Sequence, residues 1–239
     1  MKPTYSILLI FLFSFVSIGY SQTAEEYYDK GYAKLLIQDN RNAIVEFTKA
    51  VEINPKFSEA YFYRGMAKCD TEDHFGGVSD YSKAIEYDPK NSKIYYYRGM
   101  AKRDLHDLRG AIQDYSKSIE LEHKSFPFVA YRERAEAKFK LEDYKGAISD
   151  FSKIIVFDPK YQESYLYRGL AKSRLGNYES AIIDFTKIID IDPKNARAYY
   201  VRGNAKLKLG QKNSGCMDLS KSGELGNHQA YEDIKKYCQ

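Results

Sequence analysis

Tyr63-Arg64-Gly65-Met66-Ala67-Lys68 is the stretch that decides the fold, because the chain repeats it. The same pattern returns, in strong or weaker form, at 97–102, 167–172, 29–34, 133–138 and 201–206. Its third residue, Gly or Ala, recurs from Gly31 to Gly203 at spacings of 34, 34, 36, 34 and 34 residues. A fixed period of this length indicates a stack of similar structural units.

The residues around the motif follow helical spacing. We count positions 1 to 34 from residues 24, 58, 92, 128, 162 and 196. Positions 4 and 8 then share one helical face, and positions 20, 24 and 27 share another. Small residues at positions 8 and 20 allow two helices to approach closely, and rings at positions 4 and 24 fill the space beside them. Proline at position 32 ends the second helix in four units, at Pro55, Pro89, Pro159 and Pro193.

This pattern resembles the tetratricopeptide repeat, in which each unit is a pair of antiparallel helices. The chain has 23 Tyr and no Trp, and Tyr occupies position 4 of every unit, where this family often uses Trp. The resemblance implies an all-α, right-handed superhelix whose first helices line the concave side. The predicted units are 24–57, 58–91, 92–125, 128–161, 162–195 and a degenerate 196–227, followed by a capping helix over 228–239. No unit can bury its own apolar face, so we expect one continuous core.

The N-terminal segment is predicted to be an export signal. Lys2 precedes a 12-residue apolar run from Ile7 to Ile18, which is too short to span a bilayer. Small residues then favour cleavage between Ser21 and Gln22. The protein is thus expected to be periplasmic or secreted, with no membrane insertion after cleavage. An uncleaved anchor is the alternative.

The cysteines are consistent with export. Cys216 and Cys238 lie symmetrically about Asn227, the turn between the last unit and the capping helix. An antiparallel pair folded there places the two thiols opposite each other, so we predict a disulfide. Two buried thiols are the alternative, and Cys69 is expected to be a small packing residue.

No catalytic or cofactor motif stands out, and we predict a non-catalytic protein without cofactor or metal. The four His fall at unrelated positions, with no metal-ligand spacing. The acidic and basic residues recur with the repeat: position 7 is basic and position 23 is acidic in every unit. We interpret them as a ladder of exposed ion pairs, each worth about 0–1 kcal/mol. A net charge of +4 gives no reason to expect nucleic-acid binding.

Function is expected in the concave groove, which in this family binds a peptide or protein segment. Positions 5 and 9 are mostly apolar or aromatic, but the fourth unit has Arg132 and Glu136 there, and the sixth unit has Asn204 at position 9. Acidic residues in the first two units and basic residues in the last two predict a charge gradient that orients the ligand. The predicted groove residues are Tyr28, Tyr32, Phe62, Met66, Tyr96, Met100, Leu166, Leu170, Tyr200, Asn204, Arg197 and Lys208.

Two alternatives to this interpretation stay open. Tight superhelical packing could already cover part of the apolar stripe. The protein could also be a structural or accessory subunit of an envelope complex that uses its convex face or its ends.

Overall fold

The computed structural model describes residues 22–122 and 127–238, and in these residues every regular element is an α-helix. The predicted signal segment and the last residues of the predicted third unit lie outside the described residues. The helices are α1 Ala24–Leu36, α2 Asn40–Ile53, α3 Ser58–Asp70, α4 His74–Tyr87, α5 Ser92–Asp104, α6 Leu108–Leu121, α7 Phe128–Lys140, α8 Tyr144–Phe157, α9 Gln162–Arg174, α10 Tyr178–Ile191, α11 Ala196–Lys208, α12 Lys212–Glu224 and α13 Gln229–Tyr237.

The helices form six antiparallel pairs that stack in chain order, with α13 packed on α12. Among the described helices, successive first helices contact each other at α1–α3, α3–α5 and α9–α11, whereas no two second helices approach as closely. The first helices therefore lie on the inner side of the curve. The chain is an all-α superhelix whose concave surface is formed by the odd-numbered helices.

Each pair is joined by a tight turn with the same backbone conformation. One residue at position 15 has a positive φ, and it is followed by the residue that caps the second helix. In three units that cap is an Asp whose side chain accepts from the N–H of Gly76, Gly110 or Gly146. A Cβ on any of these glycines would lie 2.1 Å from Oδ2 of the capping Asp, so a larger residue would displace the capping carboxylate. The position 15 residues with positive φ are Gln38, Glu72, His106, Glu142, Gly176 and Gly210.

The two helices of a pair meet where a small residue faces a ring. A Cβ on Gly65 would lie 2.9 Å from Tyr81, and one on Gly169 would lie 2.5 Å from Phe185. The rings at position 24 are buried, and they form the centre of each local core. The continuous core is therefore built from one repeated contact between position 8 and position 24.

The basic and acidic residues at positions 7 and 23 form the predicted ladder, but our expectation that it is exposed was wrong. Arg168 donates from Nε and Nη2 to the two Asp184 oxygens, at 3.0 and 2.6 Å. Lys172 reaches the same carboxylate at 2.8 Å, and the Asp184 side chain is only 1% exposed. The guanidinium also donates to Ser152 of the preceding unit, at 3.1 Å, and lies over the Tyr165 ring. Each rung thus ties two units together inside the stack.

Four further rungs have the same geometry. In each, an Arg donates two hydrogen bonds to an Asp, and a Lys one turn later pairs with the same Asp. The Arg donates a third hydrogen bond, to a hydroxyl of the preceding unit. The Arg–Asp pairs are Arg64–Asp80, Arg98–Asp114, Arg134–Asp150 and Arg202–Asp218.

The first unit has no such rung. Lys30 and Glu46 hold the equivalent positions, but Glu46 pairs with Lys49 of its own helix at 2.8 Å. Lys30 instead lies over the Tyr27 ring. A single ammonium cannot reproduce the two-donor geometry of a guanidinium, so the ladder begins at the second unit.

The last helix closes the C-terminal side of the stack. Ala230 is fully buried against α12. The Tyr231 ring packs on Gly223 so closely that a Cβ on that glycine would lie 2.8 Å from the ring. Cys216 of α12 and Cys238 at the end of α13 form a disulfide, the pair that the sequence predicts. The contact between α13 and α12 is therefore fixed both by packing and by a covalent bond.

Candidate ligand-binding groove

A continuous row of aromatic rings runs along the concave side of the first three units. Tyr32 contacts Tyr63 edge-on, with ring centroids 5.2 Å apart, and Tyr63 contacts Phe62 at 5.0 Å. Phe62 then meets Tyr97 at 5.3 Å, and Tyr97 meets Tyr96 at 5.5 Å. We call these five rings and Tyr28, which stacks on Tyr32, the aromatic row.

Two members of the aromatic row were missed by the sequence interpretation. Tyr63 and Tyr97 hold position 6 and are not among the predicted groove residues, which come mainly from positions 5 and 9; the fifth unit also has an aromatic at position 6, Tyr167. A ring at position 6 contacts the ring at position 5 of the preceding first helix, as Tyr63 contacts Tyr28 and Tyr97 contacts Phe62. The position 6 rings therefore fill the gaps between the predicted groove residues. The recurrence of Tyr at position 6 was the signal that could have found them.

Four rings of the aromatic row form one wall of a cavity of about 540 Å³. Phe62, Tyr63 and Met66 come from α3, Tyr96 and Tyr97 from α5, and the opposite wall begins with Phe128 of α7. Burial raises the pKa of Tyr28 and of Tyr96 to about 12. A Tyr hydroxyl is protonated at physiological pH even at its ordinary pKa of about 10, and burial raises the pKa further, so both hydroxyls can donate hydrogen bonds to a ligand.

The fourth unit interrupts this surface with buried charge. Glu133 is 5% exposed and is held between Arg103 of α5 and Arg132 of α7, with 2.8 Å to the latter. Burial raises the pKa of the nearby Glu136 carboxyl, and the negative charge of Glu133 raises it further. We call Arg103, Arg132, Glu133 and Glu136 the polar cluster. It lies between the aromatic row and the C-terminal part of the groove.

A second cavity, of about 310 Å³, lies between α9 and α11. Leu170, Phe185 and Val201 line it with apolar surface, and Arg174 and Lys208 stand at its rim. We call it the C-terminal cavity. Leu166, by contrast, is only 8% exposed and belongs to the core, so it offers little surface to a ligand.

The predicted basic end of the groove is not one cluster. Arg197 is in the first turn of α11 and lines a recess with Glu163 and Tyr167, whereas Lys208 is the last residue of that helix. They are eleven helical steps apart, which corresponds to about 16 Å along the helix axis. The two cations therefore lie at opposite edges of the groove, and only Lys208 is next to Arg174.

The capping helix occupies part of the groove at the sixth unit. Asn204 donates from Nδ2 to Asp233 of α13, at 3.4 Å. The Tyr200 hydroxyl is also bonded to Asp233, and burial and this bond raise its pKa. These two predicted groove residues thus have an intramolecular partner. Met100 is half-buried on α5, near the polar cluster.

Residues 22–122 and 127–238 contain neither a clustered metal site nor a membrane-spanning helix. No group of three or more His, Cys, Asp or Glu side chains there has the arrangement of a metal site. No helix in that part of the chain is long and apolar enough to cross a membrane.

Paired helices stacked at a period of 34 residues define an α-solenoid of helical hairpins. Family models described as the tetratricopeptide repeat match residues 19–57, 81–113 and 162–195. The chain is a tetratricopeptide repeat protein. A search among curated proteins finds no match.

Solved structures with the same architecture agree with this assignment. YrrB, "a TPR protein with an unusual peptide-binding site", is 20% identical, with a TM-score of 0.69 over 80% of this chain and 97% of its own. MamA is 26% identical, with a TM-score of 0.65 over 75% and 94%. PilW, a "widely conserved type IV pilus biogenesis factor", is 13% identical, with a TM-score of 0.61 over 90% and 99%.

Proposed function

We propose that this protein is an exported, non-catalytic interaction module that holds a peptide or protein segment in its concave groove. The observation that carries the proposal is the aromatic row, whose rings remain partly exposed although they pack on each other. Aromatic rings supply large contact area at low cost in conformational entropy, and Met66 beside them can adapt to the shape of a ligand.

The family and the structural neighbours support this function. Tetratricopeptide repeat proteins bind proteins or peptides, and the YrrB structure is described by its peptide-binding site. At 20% identity that neighbour supports the fold, so the residues proposed here come from this chain alone.

The groove is tested by truncating two rings of the aromatic row. Tyr63→Ala with Tyr97→Ala is expected to abolish binding of peptides selected on an array of random sequences. The matched control is Phe75→Ala with Val156→Ala, two side chains on second helices that are 77% and 81% exposed. Unchanged binding by the groove variant, with circular dichroism showing an intact fold, would contradict the proposal.

A structural role through the convex surface is the second candidate. Phe75, Val156, Ile183 and Met217 are large apolar side chains on second helices, and all are more than two-thirds exposed. Scattered exposed apolar residues are common, so they support this role less strongly than the row supports groove binding. If the Phe75 and Val156 control loses the partner while the groove variant keeps it, the convex surface is the binding site.

The exported location is part of the proposal and is supported by the sequence of the N-terminal segment and by the disulfide. Disulfides persist in oxidising compartments. Mass spectrometry of the protein from its native host should find a chain that begins at Gln22. A chain that retains Met1 would contradict cleavage.

A further inference from the structure

The C-terminal cavity differs from the rest of the groove in having unpaired positive charge over an apolar floor. Arg174 and Lys208 are the last residues of α9 and α11, both are exposed, and neither has an ion-pair partner among the described residues. Lys172, two residues earlier, is by contrast bound to the buried Asp184. The two rim cations are thus free for a ligand.

The charge at the end of the first helices changes sign along the stack. Position 13, the last residue of the first helix in units 2 to 6, changes from acid to base along the stack. A helix C-terminus favours cations, which accounts for Arg174 and Lys208 but runs against the acids. Helix stability alone therefore does not set the charge along this row. The row is Asp70, Asp104, Lys140, Arg174 and Lys208.

Among the described residues, none of the side chains that line the cavity is acidic. Asp233 of the capping helix contacts two lining residues from behind, and its carboxylate accepts from the Asn204 amide and the Tyr200 hydroxyl. The floor consists of Leu170, Phe185 and Val201. A volume of about 310 Å³ suits one large side chain rather than a folded ligand.

We propose that the C-terminal cavity anchors an acidic segment of the bound partner. One large apolar side chain enters the cavity, and Asp or Glu side chains on either side of it pair with Arg174 and Lys208. Two cations on separate helices fit two carboxylates, whereas a single chain-terminal carboxylate would leave one cation unpaired. The inference rests on the proposed function, since it names the chemistry of the segment that the groove holds.

The test uses a fluorescein-labelled, C-terminally amidated decapeptide with the core Asp-Glu-Phe-Glu-Asp, titrated by anisotropy. We expect saturable binding that weakens as salt is added, and a loss of roughly tenfold or more on Arg174→Glu with Lys208→Glu. The control, Lys145→Glu with Lys153→Glu, makes the same change in net charge at exposed positions of α8. It should bind like the unchanged protein.

Three peptide arms decide the chemistry. The core Asn-Gln-Phe-Gln-Asn removes the charge, and Asp-Glu-Ser-Glu-Asp removes the apolar side chain, so each should bind at least roughly tenfold more weakly. A neutral peptide that ends in Phe with a free carboxylate should also bind weakly. Equal binding by any of the three, or by the Arg174 and Lys208 variant, would overturn the inference.

The two proposals fail in different ways. If array peptides bind and depend on Tyr63 and Tyr97 but not on Arg174 and Lys208, only the anchoring inference is refuted. If no array peptide binds the groove at all, the proposed function is refuted as well.

Discussion

At the residue scale, the burial of the ladder turns repeated charge into a stability element. The Asp184 carboxylate is nearly inaccessible and has two cations as partners. Surface ion pairs contribute little, but removal of one partner from a buried pair leaves uncompensated charge. The repeated position 7 and position 23 residues therefore act mainly in folding, which separates them from the groove.

We predict that Asp184→Ala lowers the free energy of unfolding by about 3–5 kcal/mol, because Arg168 and Lys172 lose their shared anion in a buried setting. Denaturant unfolding followed by circular dichroism measures the change. Glu86→Ala, which breaks an exposed pair with Lys83, is the control and should cost about 0–1 kcal/mol. Equal losses in both variants would contradict the burial argument.

The carboxyl of Glu136 makes the stability of the folded protein depend on pH. Burial and Glu133 raise the pKa of its carboxyl, whereas Arg132 and Lys140 lower it, and Glu163 also faces it. An acid with a raised pKa holds its proton longer in the folded state, so stability falls as pH rises from the ordinary Glu value, about 4.3, through the raised one.

We therefore predict that Glu136→Gln is more stable than the unchanged protein at pH 7, and that the difference disappears below about pH 4. Melting temperatures measured across this range test it. Glu179→Gln, at an exposed position in the first turn of α10, should leave the pH profile unchanged. A Glu136→Gln variant that is less stable at pH 7 would show that the carboxylate is stabilised instead.

At the element scale, the 34-residue period predicts the paired helices because the constraint is local. Position 8 must be small where the ring at position 24 crosses it, as at Gly169 and Phe185. Proline and the capping Asp mark helix ends through the backbone alone. Such features can be predicted from one unit without knowledge of how units stack.

The depth of a side chain within the stack could not be predicted in the same way. Leu166 is buried and Glu133 is buried with charge because neighbouring helices cover them. Asn204 and Tyr200 are partly covered because α13 crosses the sixth unit. Each of these outcomes depends on contacts between units, which the pattern of a single unit does not contain.

We predict that the disulfide holds the capping helix on the stack. Reduction, or Cys216→Ser with Cys238→Ser, should lower stability by about 3 kcal/mol, since the bond closes a loop of 22 residues. In the protein without the disulfide, amide hydrogen exchange should show α13 opening before α11 and α12. The control is Cys69→Ala, which changes the free cysteine. Reductant should lower the stability of this variant by as much as it lowers that of the unchanged protein. If exchange in α13 is unchanged by reduction, packing of Ala230 and Tyr231 is sufficient.

At the scale of the whole molecule, each unit is stabilised mainly by its neighbours. In such a stack the stability is close to a sum of unit terms and interface terms. The rungs contribute to both, because an Arg joins its own unit to a hydroxyl of the preceding one. The stability of a helix pair therefore depends on whether a rung lies on both of its sides.

We predict that α1 and α2 open before α9 and α10 in native-state hydrogen exchange. The first unit has no Arg–Asp rung of its own, and only Arg64 reaches it, through Thr48. The fifth unit has its own rung and is also bonded through Thr186 to Arg202. Local opening is easiest where fewest interactions are lost.

A pair of variants tests the cause of this gradient. Arg202→Met removes the bond to Thr186, so it should speed exchange in α10 and α12 while leaving α1 and α2 unchanged. Arg64→Met should speed exchange in α2 and α4 and leave α10 unchanged. Uniform acceleration of all helices in either variant would mean that the stack unfolds as one cooperative unit, and the nearest-neighbour account would then be wrong.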